Sequence, residues 1–324
     1  MKRFYTFVSL VLMVLCVACS SSKKTQSEGV SENLSETRQS IAPDTFLLPE
    51  VPSSITNAEA RTSYLVTHYW DRFDFTNREL IQKAHITEQA FVDYIHVLTY
   101  VDQIEGDKSL KNTWNKAEAD SAMSLHFASL FEKYFYDPNS PFRNEAFYIP
   151  VLRDIVKSDM LSPEIRSKYQ FQLDMTMKNR VGEKAADFSY TLASGKSSNL
   201  YSIKSEYVLL MFSNPDCATC AAVTKSLNAL PGLNKAFRMN SPSRTMVAVL
   251  TVFPDNNADE WFRHIPELPS RWINGYDKDM TITHKRLYDI KAIPTIYLLD
   301  KDKKVILKDT SLEAIESFFL NPSM

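Results

Sequence analysis

Cysteine is scarce. The 324 residues hold four, Cys16, Cys19, Cys217 and Cys220, and the first two lie in an apolar leader. One pair is left for the rest of the chain, so a disulfide-stapled scaffold is excluded, and a fold of this length does not need one. The same count argues against tetrahedral zinc, which takes four ligands. There is no second CxxC and no HxxxH motif, and His68, His85, His96, His126, His264 and His284 are scattered without ligand spacing. Copper on two thiolates and a distant histidine is the weaker metal alternative. Glycine is equally thin: Gly29, Gly106, Gly182, Gly195, Gly232 and Gly275 never cluster, which excludes a glycine-rich phosphate cradle. A net charge of -2, from 37 basic and 39 acidic side chains, leaves no footprint for nucleic acid. No metal and no cofactor is expected.

What is present begins with an export pattern. Lys2 and Arg3 precede an apolar run from Phe4 to Val17, too short for a permanent membrane helix and suited to a secretion signal. Leu15-Cys16-Val17-Ala18-Cys19 resembles the bacterial lipobox, in which a small residue precedes the cysteine that is lipidated; Cys19 fits that role, and Cys16 stands where leucine is usual. A plain secretory signal or a short anchor is the alternative. Residues 20–44 are rich in Ser, Thr, Glu, Gln and Lys, and read as a disordered tether with a reach on the order of 25–30 Å.

In an exported chain with so few thiols, Cys217-Ala218-Thr219-Cys220 is the chemically informative motif. The apolar run Tyr207–Phe212 before it reads as a buried strand, and Ser213-Asn214-Pro215 as its turn. Cys217 then opens a helix whose apolar side is Ala221, Ala222, Val223, Leu227 and Leu230, with Pro231-Gly232 as the stop. Residues three apart on a helix share a face at about 5–6 Å, which suits a reversible disulfide. The helix N-terminus favours the Cys217 thiolate while Asp216 opposes it, and Ala218-Thr219 adds no charge. The expected exchanger is a reductant or weak oxidant, with Cys217 exposed and more acidic and Cys220 the buried resolving thiol. A short disulfide that merely caps the helix is the structural alternative.

Downstream, Thr245–Phe253 reads as a second buried strand and 257–264 as helical. Ile293-Pro294-Thr295 leads into a strand at 295–299, a turn at 300–303, a strand at 304–307 and a last helix at 311–320. Strand, CxxC, helix and then Ile-Pro-Thr before a terminal ββα resembles the thioredoxin fold, a central mixed sheet flanked by helices. Val181-Gly182-Glu183-Lys184-Ala185-Ala186-Asp187-Phe188 resembles the entry of membrane-anchored periplasmic members of that family, so the likeness covers about 181–324. It implies that Pro294 is a cis-proline facing the two sulfurs and that Ile293 offers its backbone to a partner. Ala186 stands where the family usually has proline, and two further departures carry more weight. Asn214-Pro215-Asp216 replaces a tryptophan, and Met211 stands in place of a buried proton-transferring carboxylate, so thiol proton transfer is slower or falls to another group.

Residues 45–180 read as five or six helices, from apolar residues at helical spacing (Phe91, Tyr94, Ile95, Leu98; Met123, Phe127, Leu130, Phe131, Tyr134) and the start signal Ser162-Pro163-Glu164. Tyr69, Trp70, Phe73 and Phe75 are expected to pack at a helix end, a recognition patch being the alternative. The chain is thus expected to comprise a leader at 1–19, a tether at 20–44, an all-α domain at 45–180 and a thioredoxin-like domain at 181–324. It is expected to hang from a membrane of a Gram-negative envelope, outer membrane facing the periplasm, with exported protein thiols or disulfides and an upstream redox protein as partners. A non-catalytic binding lipoprotein on the same scaffold is the rival reading.

Overall fold

The computed structural model describes residues 45–321. The expected leader, Cys19 and the tether lie outside the described residues. The first half is helical: α1 (Ala58–His68), α2 (Thr87–Leu98), α3 (Gln103–Ala117), α4 (Ser121–Phe131), α5 (Glu145–Ile155) and α6 (Pro163–Thr176). Five of the six starts are fixed by a side chain. Asn57, Asp102, Asp120, Asn144 and Ser162 each accept a backbone N–H from the first turn, satisfying donors that a helix start leaves unpaired. The apolar faces meet in one core around Phe91, Tyr94, Trp114 and Phe127. Trp70 meets Phe73 edge-on at 5.3 Å and Phe127 at 5.2 Å, so the aromatic cluster at 69–75 is core packing.

The second half is a seven-stranded sheet and its covering helices. In chain order these are β1 (Ser189–Leu192), β2 (Ser197–Asn199), β3 (Tyr207–Phe212), α7 (Ala218–Ala229), α8 (Pro231–Arg238), β4 (Val247–Phe253), α9 (Ala258–His264), β5 (Ile273–Tyr276), α10 (Thr281–His284), β6 (Thr295–Asp300), β7 (Val305–Leu307) and α11 (Leu312–Leu320). The order across the sheet is β2-β1-β5-β4-β3-β6-β7, with β3 parallel to β4 and antiparallel to β6. The expected mixed sheet is present. Successive side chains of a strand point to opposite faces. In β3, Val208, Leu210 and Phe212 enter one core and Leu209 and Met211 the other, which is why the run is apolar throughout.

Three local expectations change. The polar strands β1 and β2 and the short β5 were not foreseen. Pro231 ends α7 but also opens α8, as a proline at the first helical position can. The buried face of α7 is Cys220, Thr224 and Leu227, whereas Ala221 and Ala222 are exposed, because the face is set by the sheet beneath and not by hydrophobicity alone.

The two halves meet at a buried cluster of charge. Lys291 Nζ lies 2.9 Å from Glu145 of α5 and 2.7 Å from Asp289, and Lys308 Nζ lies 2.7 Å from Glu145. Arg143 pairs with Asp309 at 2.9 Å. Lys308 also donates to the carbonyls of Thr176 and Lys178 at 2.9 Å, capping α6 at the end where its carbonyls lack partners. Burial raises the Glu145 carboxyl, but Lys291 and Lys308 outweigh it and hold it below the usual range. Burial likewise lowers Lys291, and Glu145 with Asp289 outweigh that to raise it.

Glu145→Ala leaves Lys291 with Asp289 alone and Lys308 with backbone carbonyls and no carboxylate, so it is expected to cost about 3 kcal/mol in chemical denaturation. Because the folded value of Glu145 is depressed, its contribution is present above the unfolded value of about 4.3 and is lost as the pH falls through the folded one. Wild-type stability should therefore fall on acidification below about pH 4, and Glu145→Gln should flatten that fall.

Candidate active site

The site is built where two loops leave neighbouring strands. Phe212, the last residue of β3, pairs with Thr295, the first of β6. The chain that follows Phe212 runs into Cys217, and the chain that precedes Thr295 is Ile293-Pro294. The Asn214 side chain accepts the Asp216 N–H at 3.0 Å and its carbonyl accepts the Cys217 N–H at 3.3 Å, a tight turn that delivers Cys217 to the N-cap of α7. There its sulfur accepts the Cys220 N–H at 3.0 Å, which places the first-turn donors of the helix where a thiolate uses them. The same sulfur lies 3.7 Å from the Ile293 carbonyl oxygen. The Ile293-Pro294 peptide bond is cis.

The two thiols differ in surroundings. Cys217 is half-buried, while Cys220 is 2% exposed. Burial pushes the Cys220 thiol up to about 11, with the neighbouring Cys217 adding to the rise against hydrogen bonds from Asn214 and Ser213 that lower it. A cavity of about 340 Å³ nevertheless reaches Cys220, bounded by Thr224, Lys225, Thr251, Trp261 and His264. Met211 is fully buried in the core beneath and brings no titratable group to the sulfurs.

His264 was passed over in the sequence because it sits 47 positions beyond Cys217 with no motif around it. It closes α9, and its Nε2 lies 3.1 Å from Asp216 Oδ1 and its Nδ1 3.4 Å from Glu267. His264 thus gives a hydrogen-bonding partner to the carboxylate beside Cys217 that the sequence alone reads as opposing a thiolate. Among the described residues no group of three or more His, Cys, Asp or Glu is placed to hold a metal ion, and no helix is long and apolar enough to cross a membrane. Chemically the arrangement can hold a nucleophilic sulfur at a helix start, with a second sulfur one turn on and the Ile293 backbone beside the first.

Comparison with known proteins bears on the fold. Residues 205–305 match a family model described as thioredoxin-like, and residues 18–179 match a domain family of unknown function, DUF5106. A thioredoxin-like protein from Bacteroides caccae, known from its crystal structure, is 40% identical, with a TM-score of 0.80 over 85% of this chain and 98% of that one. The chain belongs to the thioredoxin-like family, with an N-terminal helical DUF5106 region ahead of the thioredoxin-like domain. The C-terminal domain of an uncharacterized protein from Bacteroides fragilis is 44% identical over 44% of this chain and 98% of that one, with a TM-score of 0.41. A domain of a possible thiol-disulfide isomerase from Cytophaga hutchinsonii is 25% identical over 45% and 95%, with a TM-score of 0.37. No curated protein matches.

The difference between the two thiols has a direct test. Iodoacetamide at neutral pH is expected to label Cys217 of the reduced protein first, with Cys220 reacting only after unfolding or at high pH; peptide mass mapping over time reads the order. Faster labelling of Cys220 would reverse the two roles.

Proposed function

We propose that this chain is a lipid-anchored thiol-disulfide oxidoreductase that exchanges disulfides with exported proteins through Cys217 and Cys220, as a reductant or weak oxidant. The reading is carried by one observation, the Cys217 sulfur held at the start of α7 by the Cys220 N–H and set beside the Ile293 carbonyl. In the reducing direction the Cys217 thiolate attacks one sulfur of a partner disulfide, that S–S bond breaks, and the other partner sulfur leaves as a thiolate that takes a proton. Cys220 then loses its proton and attacks Cys217, releasing the second partner thiol. The partner gains two electrons, and the pair is left as a disulfide for an upstream dithiol protein to reduce. Oxidation of a partner runs the same steps backwards.

Removing the resolving thiol should stop the cycle half-way. Cys220→Ser expressed in the native host is expected to accumulate mixed disulfides through Cys217 that dissolve in dithiothreitol, and Cys217→Ser to accumulate none. Absence of any reducible adduct on Cys220→Ser would favour the scaffold reading.

Placement is part of the same proposal. Cys19 is read as the lipidated residue of an outer-membrane lipoprotein facing the periplasm, with residues 20–44 as its tether. Cys19→Ala is expected to move the protein from the membrane pellet to the soluble exported fraction, with loss of metabolic fatty-acid label. Retention of an uncleaved chain in the membrane would point to a simple anchor.

A further inference from the structure

A groove of about 580 Å³ lies on the seam between the helical half and the sheet, within the span of about 300–1,000 Å³ usual for ligand sites. The helical half supplies Tyr136, Pro138, Phe171 and Met175 to its lining, and the sheet half supplies Phe253 and Ile290. Asn214 and Ile293 also line it. These are the residues that touch Cys217, through the Asn214 carbonyl on its N–H and the Ile293 carbonyl beside its sulfur. The groove therefore shares its border with the residues that contact the reactive thiol.

Two features of its wall are unusual. Phe171 of α6 is 44% exposed, a large ring left open at a concave surface and not on a convex one. Arg286 lies over it, with its guanidinium carbon 4.9 Å from the ring centroid. The Arg286 backbone is left-handed, φ 48°, in the turn after α10, where glycine is the common residue and a side chain is disfavoured. A strained arginine at that position directs attention to its side chain. The charges of the groove are balanced in number: Lys291 is paired with Asp289 and Glu145, and the lining also holds one further cation, Arg286, and one further carboxylate, Asp255. An acidic or a basic ligand finds no excess to complement, whereas a ring finds an apolar wall, an open phenyl face and a guanidinium.

We propose that this groove is the docking site for the polypeptide around a partner's cysteine, and that Phe171 and Arg286 select an apolar, above all aromatic, side chain next to that cysteine. The inference rests on the thiol-exchange reading and names its substrate class. A neighbour of the attacked cysteine lies within about 3.3–3.6 Å per residue of Cys217, which is the stretch that Asn214 and Ile293 border. The helical half thereby becomes part of the substrate site.

The test uses the reduced full chain and two synthetic peptides, Phe-Cys-Phe and Gly-Cys-Gly at the centre of one common sequence, each carrying thionitrobenzoate on its cysteine. Attack of the Cys217 thiolate on the peptide sulfur breaks the S–S bond and releases coloured thionitrobenzoate, and Cys220 then displaces the peptide thiol. The wild type is expected to react at least about tenfold faster with the Phe peptide, the return for burying one ring. That ratio should collapse towards one in Phe171→Asp, and fall in Arg286→Ala, a second variant on the opposite wall that guards against misfolding of the first. A wild-type ratio near one, or a ratio that neither variant changes, overturns the groove. Hydroxyethyl disulfide separates the two levels of the claim. Failure to react with it or with either peptide overturns the exchange reading and this inference with it, whereas reaction without preference overturns only the groove.

Discussion

The antiparallel register of β3 on β6, with Phe212 opposite Thr295, is the constraint on which the site depends. It sets the start of one loop beside the end of another, so that residues 76 positions apart, Cys217 and Ile293, come to 3.7 Å. A slip by one residue would turn Val208, Leu210 and Phe212 out of one core and Leu209 and Met211 out of the other, on a strand buried on both faces. The register is thus held by two cores at once. The geometry at the sulfur inherits that certainty from packing on both faces of one strand.

How much of this could be read beforehand follows from where each signal is stored. The motif 217–220, the strand before it and the Ile-Pro pair were legible because each is a short run whose chemistry is local. The helix starts at Ser162 and Asn257 were legible for the same reason. Strands β1 and β2 were not, since Ser189-Tyr190-Thr191-Leu192 and Ser197-Ser198-Asn199 carry little apolar content and owe their state to pairing with each other and, through β1, with β5. Gly275 in β5 reads as a break, yet a side chain there would meet Tyr190 at 2.6 Å, so it marks a close approach of strands. His264, the groove and the charged seam were invisible because each is assembled from distant segments.

Cys220 presents a division of labour between sulfur and surroundings. With Met211 in the core beneath it, the buried thiol has no carboxylate on the strand below, and burial pushes its pKa up to about 11. The cavity that reaches it is bounded by Lys225, His264 and Glu267. The polar contact of His264 with Asp216 ties that same cavity to the exposed side of the motif. One histidine therefore borders both thiols, from the front through Asp216 and from behind through the cavity.

The charged seam changes what counts as the smallest meaningful piece of this protein. Asn179 joins the halves as packed structure and not as a loose connection: it is buried, donates to the Leu287 carbonyl and accepts the Ala186 N–H, both at 2.8 Å. A C-terminal fragment cut after residue 180 would keep Cys217, Cys220 and Pro294 and lose Glu145, Arg143 and Phe171. Lys291, two residues from Ile293, would then face water on the side where it now meets Glu145. Such a fragment has the whole motif, but the loop that carries its proline would rest on solvent and not on a helix, so rates measured on it describe a differently supported site.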